Sequence, residues 1–464
     1  MNEITAVKKN AWDTYDESTL KEVFDLSERY KEFMSKCKTE RECVDELVSL
    51  AEANGFVSLS EVISKGEKLK PGQKVYATNK GKGLLVFVLG TESFEKGLKI
   101  LGSHIDSPRL DLKQNPLYEE EGLALMETHY YGGIKKYQWV AIPLALHGVV
   151  VKKDGTTIKL VIGEDEKDPV IGVSDLLIHL SQDQLEKKGN KVVEGEDLNI
   201  LVGSIPIKDK EIKDRVKYAI LMSLKDKYDF VEEDFISAEL EIVPAGKARD
   251  YGLDRSMVMA YGHDDRICAY TSFEAIINSK PGKFTKVAIF VDKEEVGSIG
   301  ATGMESRFFE NTVAEIMDLT GEYSELKLRR TLANSKMLSS DVSAAYDPNY
   351  PSVMEKKNAA FFGRGLVFNK YTGARGKSGC NDANAEFMAE IRDIMDSNGV
   401  VWQTSELGKV DQGGGGTIAY ILAQYGMEVI DCGVALQNMH APWEVASKAD
   451  IYETTKGYKA FLQD

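Results

Sequence analysis

In this 464-residue chain, histidines and carboxylates stand at the ends of several short apolar runs. KILGSHIDSP places His104 and Asp106 after one run, and MVMAYGHDDR places His263, Asp264 and Asp265 after another. KVAIFVDKEEVGS delivers Glu294 and Glu295, MEVIDCGVALQNMH delivers His440, and the less regular SKMLSSDVSAAYDPNY offers Asp341. In an open α/β sheet, ligands bind just beyond the carboxyl ends of the strands, so these junctions are where chemistry is expected. One such junction alone is an ordinary solvent-facing turn. Together on one rim they supply nitrogen and oxygen ligands that suit Zn²⁺, Mn²⁺ or Co²⁺ and not an iron–sulfur cluster. Two adjacent cations repel, so a dinuclear site with ions about 3.5–4 Å apart needs a carboxylate between them, and a bridging aspartate meets that need. The adjacent pair Glu294 and Glu295 points two ways: one ligates, and the other takes a proton from the activated water.

Elements that position these groups are legible in three regions. The first, residues 1–109, opens with helical spacing of Leu20, Val23, Phe24, Tyr30 and Phe33 over residues 18–38, and a second amphipathic stretch covers residues 40–53. GKGLLVFVLG and KGLKILGSH then read as buried strands bounded by glycine. The middle region, residues 110–245, is rich in lysine and glutamate, with strand-like TTIKLVIG and LNILVGSIPI but no regular strand–helix alternation. It reads as an inserted domain, with VAIPLALHGVVV as a buried strand pair and SQDQLEKKGNKVVEGED as an exposed loop or hairpin. Residues 246–464 return to alternating strands and helices, which predicts an α/β fold: one mixed sheet flanked by helices, in a domain split by the insert.

Composition narrows the function classes. With 74 acidic and 58 basic side chains the formal charge is −16, which repels nucleic acid and anionic membrane surfaces. The run from Lys208 to Lys217 holds several cations, but acids interrupt it. Five scattered cysteines without a CxxC pair fit a reducing compartment, and the amino-terminal sequence MNEITAVKKNAWDTYDE lacks a signal-type apolar stretch. A cytoplasmic protein with no membrane span is expected.

GSHIDSPRL, YGHDDRICAY, VDKEEVGSIGATG, SSDVSAAYDPNYP, KVDQGGGGTIA and QNMHAPWE, in this order, resemble the motifs of the aspartyl aminopeptidase and aminopeptidase I family of dinuclear zinc exopeptidases, over nearly the whole chain. The resemblance implies a split zinc-exopeptidase domain (residues 1–109 and 246–464) with an inserted, mainly β dimerisation domain (residues 110–245). It further implies two zinc ions per subunit, peptide substrates and a homo-oligomer, a dodecamer with enclosed active sites. By motif, His104 and Asp341 resemble ligands of the first metal, Glu295 and His440 ligands of the second, and Asp264 the bridge. Asp106 resembles the aspartate that orients His104, and Glu294 the general base. His179, in LLIHLSQ, reads on its own as a structural histidine, but it resembles a family histidine that reaches a neighbouring subunit's active site near substrate and metals. His129, His147 and His263 are left as structural.

Substrate choice stays open between a neutral or hydrophobic N-terminal residue, which KVDQGGGGTIA resembles, and an acidic one, for which Lys370, Arg375 and Lys377 supply cations. The glycine run lacks a following GK[ST], so close backbone approach is expected there instead of a nucleotide site. Two rival functions share these features: a dinuclear-metal deacylase or carboxypeptidase, and a catalytically silent self-assembling shell protein.

Overall fold

The computed structural model describes residue 4 and residues 9–463. The rest of the first eight residues, part of the stretch read for an export signal, lies outside the described residues. The chain forms two compact units: Met1–Asp106, Ala248–Met439 and Glu444–Asp464 make the first, and Ser107–Lys247 with His440–Trp443 the second.

The first unit is built on a nine-stranded mixed sheet. Its centre is four adjacent parallel strands, Thr285–Val291, Leu98–His104, Lys336–Ser340 and Glu428–Gly433. The first two are buried at every position, as expected of parallel strands covered on both faces. Antiparallel neighbours extend the sheet on both sides: Gly83–Val88 pairs with Thr285–Val291, and Leu366–Asn369 pairs with Glu428–Gly433. A separate five-stranded sheet contains Met257–Ala260 and Glu444–Ser447.

The amino-terminal helix Glu17–Lys36 starts where the Asp16 side chain accepts from Thr19 N, and it buries Val23, Tyr30 and Phe33 at helical spacing. Glu40–Ala53 begins with a capping box between Thr39 and Glu42. Both fit the periodicity of the sequence. The helix His263–Ile277 and the carboxy-terminal helix Lys448–Gln463 are buried over most of their length.

The second unit is a seven-stranded sheet, antiparallel throughout, with Arg109–Glu120 and Leu123–Tyr131 forming its longest hairpin. Where a buried strand pair is expected over residues 140–151, there is one strand, Leu144–Val151. Pro143 has no N–H for a ladder and Ala141 takes a positive φ of 57°, so the chain before Leu144 makes a single bridge, Val140 to Val173, and then turns instead of forming a second strand. Residues 181–197, expected as a loop or hairpin, carry short helical turns at Gln182–Leu185, Gly189–Lys191 and Gly195–Asp197 and are mostly exposed. Among the described residues, no helix is long and apolar enough to cross a membrane.

Candidate metal centre

Three neighbouring parallel strands deliver most of the candidate groups. His104 is the last residue of Leu98–His104. Beside it, Thr285–Val291 leads through Asp292 and Lys293 into the short helical turn Glu294–Val296. On the other side, Lys336–Ser340 leads directly to Asp341. Strands buried on both faces leave little room for charge, so the first residues past their ends are the first free to be polar.

Asp264 arrives by another route. The sequence reading sets His263, Asp264 and Asp265 on the same rim as the others, but the preceding strand, Met257–Ala260, belongs to the five-stranded sheet. A short apolar run carries no record of which sheet it joins. Asp264 and Asp265 have non-helical backbone angles at the start of their helix, and Asp264 N donates to Glu444 Oε2 at 3.0 Å.

These routes converge. Donor atoms of His104, Asp264 and Glu295 lie within 4.8 Å of one another, as do those of His104, Glu294 and Asp341, and those of Asp264, Asp265 and Asp341. His104 Nε2 is buried with no hydrogen-bond partner among the described residues, although Asp264 Oδ1 is 3.3 Å away and Glu294 Oε2 3.8 Å away. An imidazole nitrogen and carboxylate oxygens gathered in this way fit a divalent cation such as Zn²⁺.

Asp106 ties the arrangement together. Its Oδ1 is 3.2 Å from His104 Nδ1 and accepts from Glu294 N at 3.2 Å, while its Oδ2 accepts from Glu295 N at 3.2 Å. His104 Nδ1 also lies 3.0 Å from the Asp106 carbonyl oxygen. A ring whose Nδ1–H is engaged in this way presents Nε2 for ligation.

The electrostatics reflect crowded acid. Burial pulls the His104 pKa down, but the carboxylates of Asp106, Asp264 and Glu294 outweigh it and lift it well above 6.5. Burial, followed by neighbouring carboxylates, pushes Asp265 and Asp341 well above the usual aspartate range. Bound cations invert that balance by favouring the ionised acids.

None of the three groups contains His440 or His179. His440 falls in the second unit, where its Nδ1 is 2.9 Å from the Gly133 carbonyl oxygen. His179 is exposed, on the turn Ile178–Leu180 of the same unit. His263 is buried 2.5 Å from Tyr30 Oη and 3.1 Å from the Val258 carbonyl oxygen, and His147 pairs with Glu164.

Two residues given no role from sequence belong to the description. Asp265 joins Asp264 and Asp341, and its Oδ2 accepts from His104 N at 3.4 Å. Asp431 is buried in Glu428–Gly433 and accepts from Thr417 Oγ1 at 2.6 Å. Burial, with a further push from Glu294, raises its pKa to about 7. The signal that finds Glu294 applies to both, since each lies in or just beyond an apolar run.

Residues 33–462 match the family model described as Aminopeptidase I zinc metalloprotease (M18). The chain is 68% identical over 463 residues to a probable M18 family aminopeptidase 1 of Clostridium acetobutylicum, covering 100% of both chains. It superposes on the crystal structure of aminopeptidase I from Clostridium acetobutylicum with a TM-score of 0.93, covering 99% of this chain and 100% of that one. For an M18 aminopeptidase structure from Thermotoga maritima the TM-score is 0.94 at 44% identity, with 99% and 100% covered. By sequence and by fold, the chain belongs to the M18 family of aminopeptidases.

Proposed function

We propose that the chain removes N-terminal residues from peptides using water activated by two zinc ions, with Mn²⁺ or Co²⁺ able to take their place. The observation that carries this reading is the convergence of His104, Asp264, Glu294, Glu295 and Asp341 in overlapping groups whose donor atoms lie within 4.8 Å. His104 and Asp341 would hold one ion and Glu295 and His440 the other, with Asp264 as the ligand they share. The chemistry that a bound zinc pair supplies is acidification of water and polarisation of a carbonyl. Glu294 accepts the proton of the attacking water and returns it to the nitrogen of the leaving amine. Asp106 holds the His104 ring and the backbone of Glu294 in register for that transfer. A carboxylate of the cluster pairs with the substrate's free α-ammonium, which makes the enzyme an exopeptidase.

In this reading residues 110–245 form a dimerisation domain, the chain assembles into a cytoplasmic homo-dodecamer, and His179 of a neighbouring copy donates to the oxyanion. Exposed apolar side chains flanking His179, with Leu177 at 54%, Ile178 at 67% and Leu180 at 67%, support assembly there. A neutral or hydrophobic N-terminal residue is preferred over an acidic one. In support, Lys370 and Lys377 both pair with Asp382, which offsets half of their charge.

Metal analysis coupled to turnover on leucyl, aspartyl and glutamyl peptides, with and without a chelator, tests the proposal. Two zinc ions per chain, turnover lost on chelation and recovered on adding metal, and inert N-blocked peptides are expected. Blocked peptides cleaved as fast as free ones would instead indicate a deacylase or carboxypeptidase. A metal-replete sample that hydrolyses no aminoacyl substrate would indicate a silent shell protein.

A further inference from the structure

A cavity of about 380 Å³ lies in the first unit between the segment Tyr371–Lys377 and the loop leading into the glycine run. Tyr371, Thr372, Arg375, Lys377, Glu406 and Lys409 line it, and backbone at Gly413 closes one side. The two segments are fastened to each other: Arg375 N donates to the Val410 carbonyl at 3.0 Å, and Gly415 N to the Thr372 carbonyl at 3.0 Å. The glycines permit this fit. A Cβ at Gly413 would fall 1.5 Å from the Leu407 carbonyl oxygen, and one at Gly414 would fall 2.5 Å from Ala374 backbone.

The charges in the cavity divide into committed and uncommitted. Glu406 accepts from Tyr371 Oη at 2.6 Å, and Lys377 pairs with Asp382 at 2.8 Å while lying 3.8 Å over the Tyr371 ring. Arg375 and Lys409 are exposed and have no ion pair among the described residues. Beside them, Thr372 is only 9% exposed, and its buried Oγ1 has no hydrogen-bond partner among the described residues. Buried hydroxyls are ordinarily satisfied, so one left open on a cavity wall beside two uncommitted cations points to an anionic ligand with oxygen acceptors.

The glycine run also ties the cavity wall to the candidate metal centre. From Gly413 to Thr417 the chain spans at most about 14 Å. Thr417 Oγ1 donates to Asp431, in the strand paired with Lys336–Ser340, and the carbonyl of the next residue, Cys432, accepts from Asp341 N at 2.8 Å. A leaving peptide of four residues spans at most about the same distance.

We propose that this cavity binds the C-terminal carboxylate of short peptide substrates, held by Arg375 and Lys409 with the Thr372 hydroxyl as a further donor. The proposal rests on the aminopeptidase reading for which end of the peptide is cleaved, and it makes short peptides the substrate class. A C-terminal carboxylate suits the site better than an acidic N-terminal side chain, because every unmodified peptide carries one.

The test compares Leu-Gly-Gly-Gly-Gly with its C-terminal amide on the metal-loaded full chain at low salt. The wild type is expected to favour the free acid by roughly tenfold or more in KM, the range of a charge-assisted hydrogen bond. Arg375→Ala combined with Lys409→Ala should bring that ratio close to one, and Arg375→Lys with Lys409→Arg should restore most of it. An acid-to-amide ratio near one in the wild type, or one unchanged by the double alanine variant, overturns the proposal. So does a variant effect confined to Asp-Leu-amide, which would make the cavity a side-chain site. Calorimetric binding of the same acid and amide to chelator-treated protein, which needs no turnover, decides the matter independently: a preference for the acid that the double variant loses supports the cavity even if no peptide is hydrolysed.

Discussion

His104 and His263 are both essentially buried, at 1% and 0% exposure, yet their surroundings shift their pKa values in opposite directions. Around His104 burial is outweighed by Asp106, Asp264 and Glu294, and its pKa rises. His263 stacks against Tyr30, and burial pulls its pKa down to about 4. Burial therefore sets the cost of a charge, and the neighbouring groups decide whether the charge forms. In the proposed function one region holds cations and moves protons, while the other fastens helices.

The largest test of that division is Glu294→Gln. If the carboxylate rim does chemistry, turnover should fall by about 10²–10⁴-fold while metal content is kept, measured by single-turnover kinetics beside metal analysis. Near-normal turnover would remove Glu294 from the role of base.

The aromatic region should appear in stability instead. An unfolded chain protonates His263 near pH 6.5 and the folded chain only near 4, so acid favours unfolding within that window. Its contribution, about 3 kcal/mol at most, is complete above pH 6.5 and is lost as the pH falls toward 4. Urea melts between pH 4 and 7 on His263→Gln and the parent chain should show the variant with the flatter pH dependence. An imidazole signal of His263 titrating above pH 6 would remove the contrast.

Asp106→Asn acts on the carboxylate side at smaller scale. It weakens the hold on the ring and on the Glu294–Glu295 backbone, and zinc affinity should fall by about 10–100-fold in a competition titration. Tyr30→Phe is the smallest: loss of the hydroxyl beside His263 Nδ1 should cost about 1 kcal/mol in a thermal melt and leave zinc affinity unchanged. A change in zinc affinity would show that the two regions are coupled.

Much of the rim is legible in sequence because a fully buried strand forces apolar residues and then releases that restriction abruptly. SHIDS after KILG, and DKEE after VAIF, are the marks of this. Less legible is which strand lies beside which. MVMA and KVAIFV look alike as runs, yet they enter different sheets, because sheet membership depends on long-range pairing that local periodicity does not encode. Asp265 was hidden for a related reason: adjacent carboxylates at a helix start look equivalent until the backbone turns each one. Proline at position 143 marks the break before Leu144–Val151, a cue that the unbroken apolar stretch outweighed.

The span of Asp106 across the His104 ring and two peptide N–H groups has a mechanical consequence. A shift of the turn bearing Glu294 tugs the imidazole with it, so the spacing between them is conserved even when their shared platform drifts. Two groups that share one carboxylate have less freedom to move apart than two mounted independently.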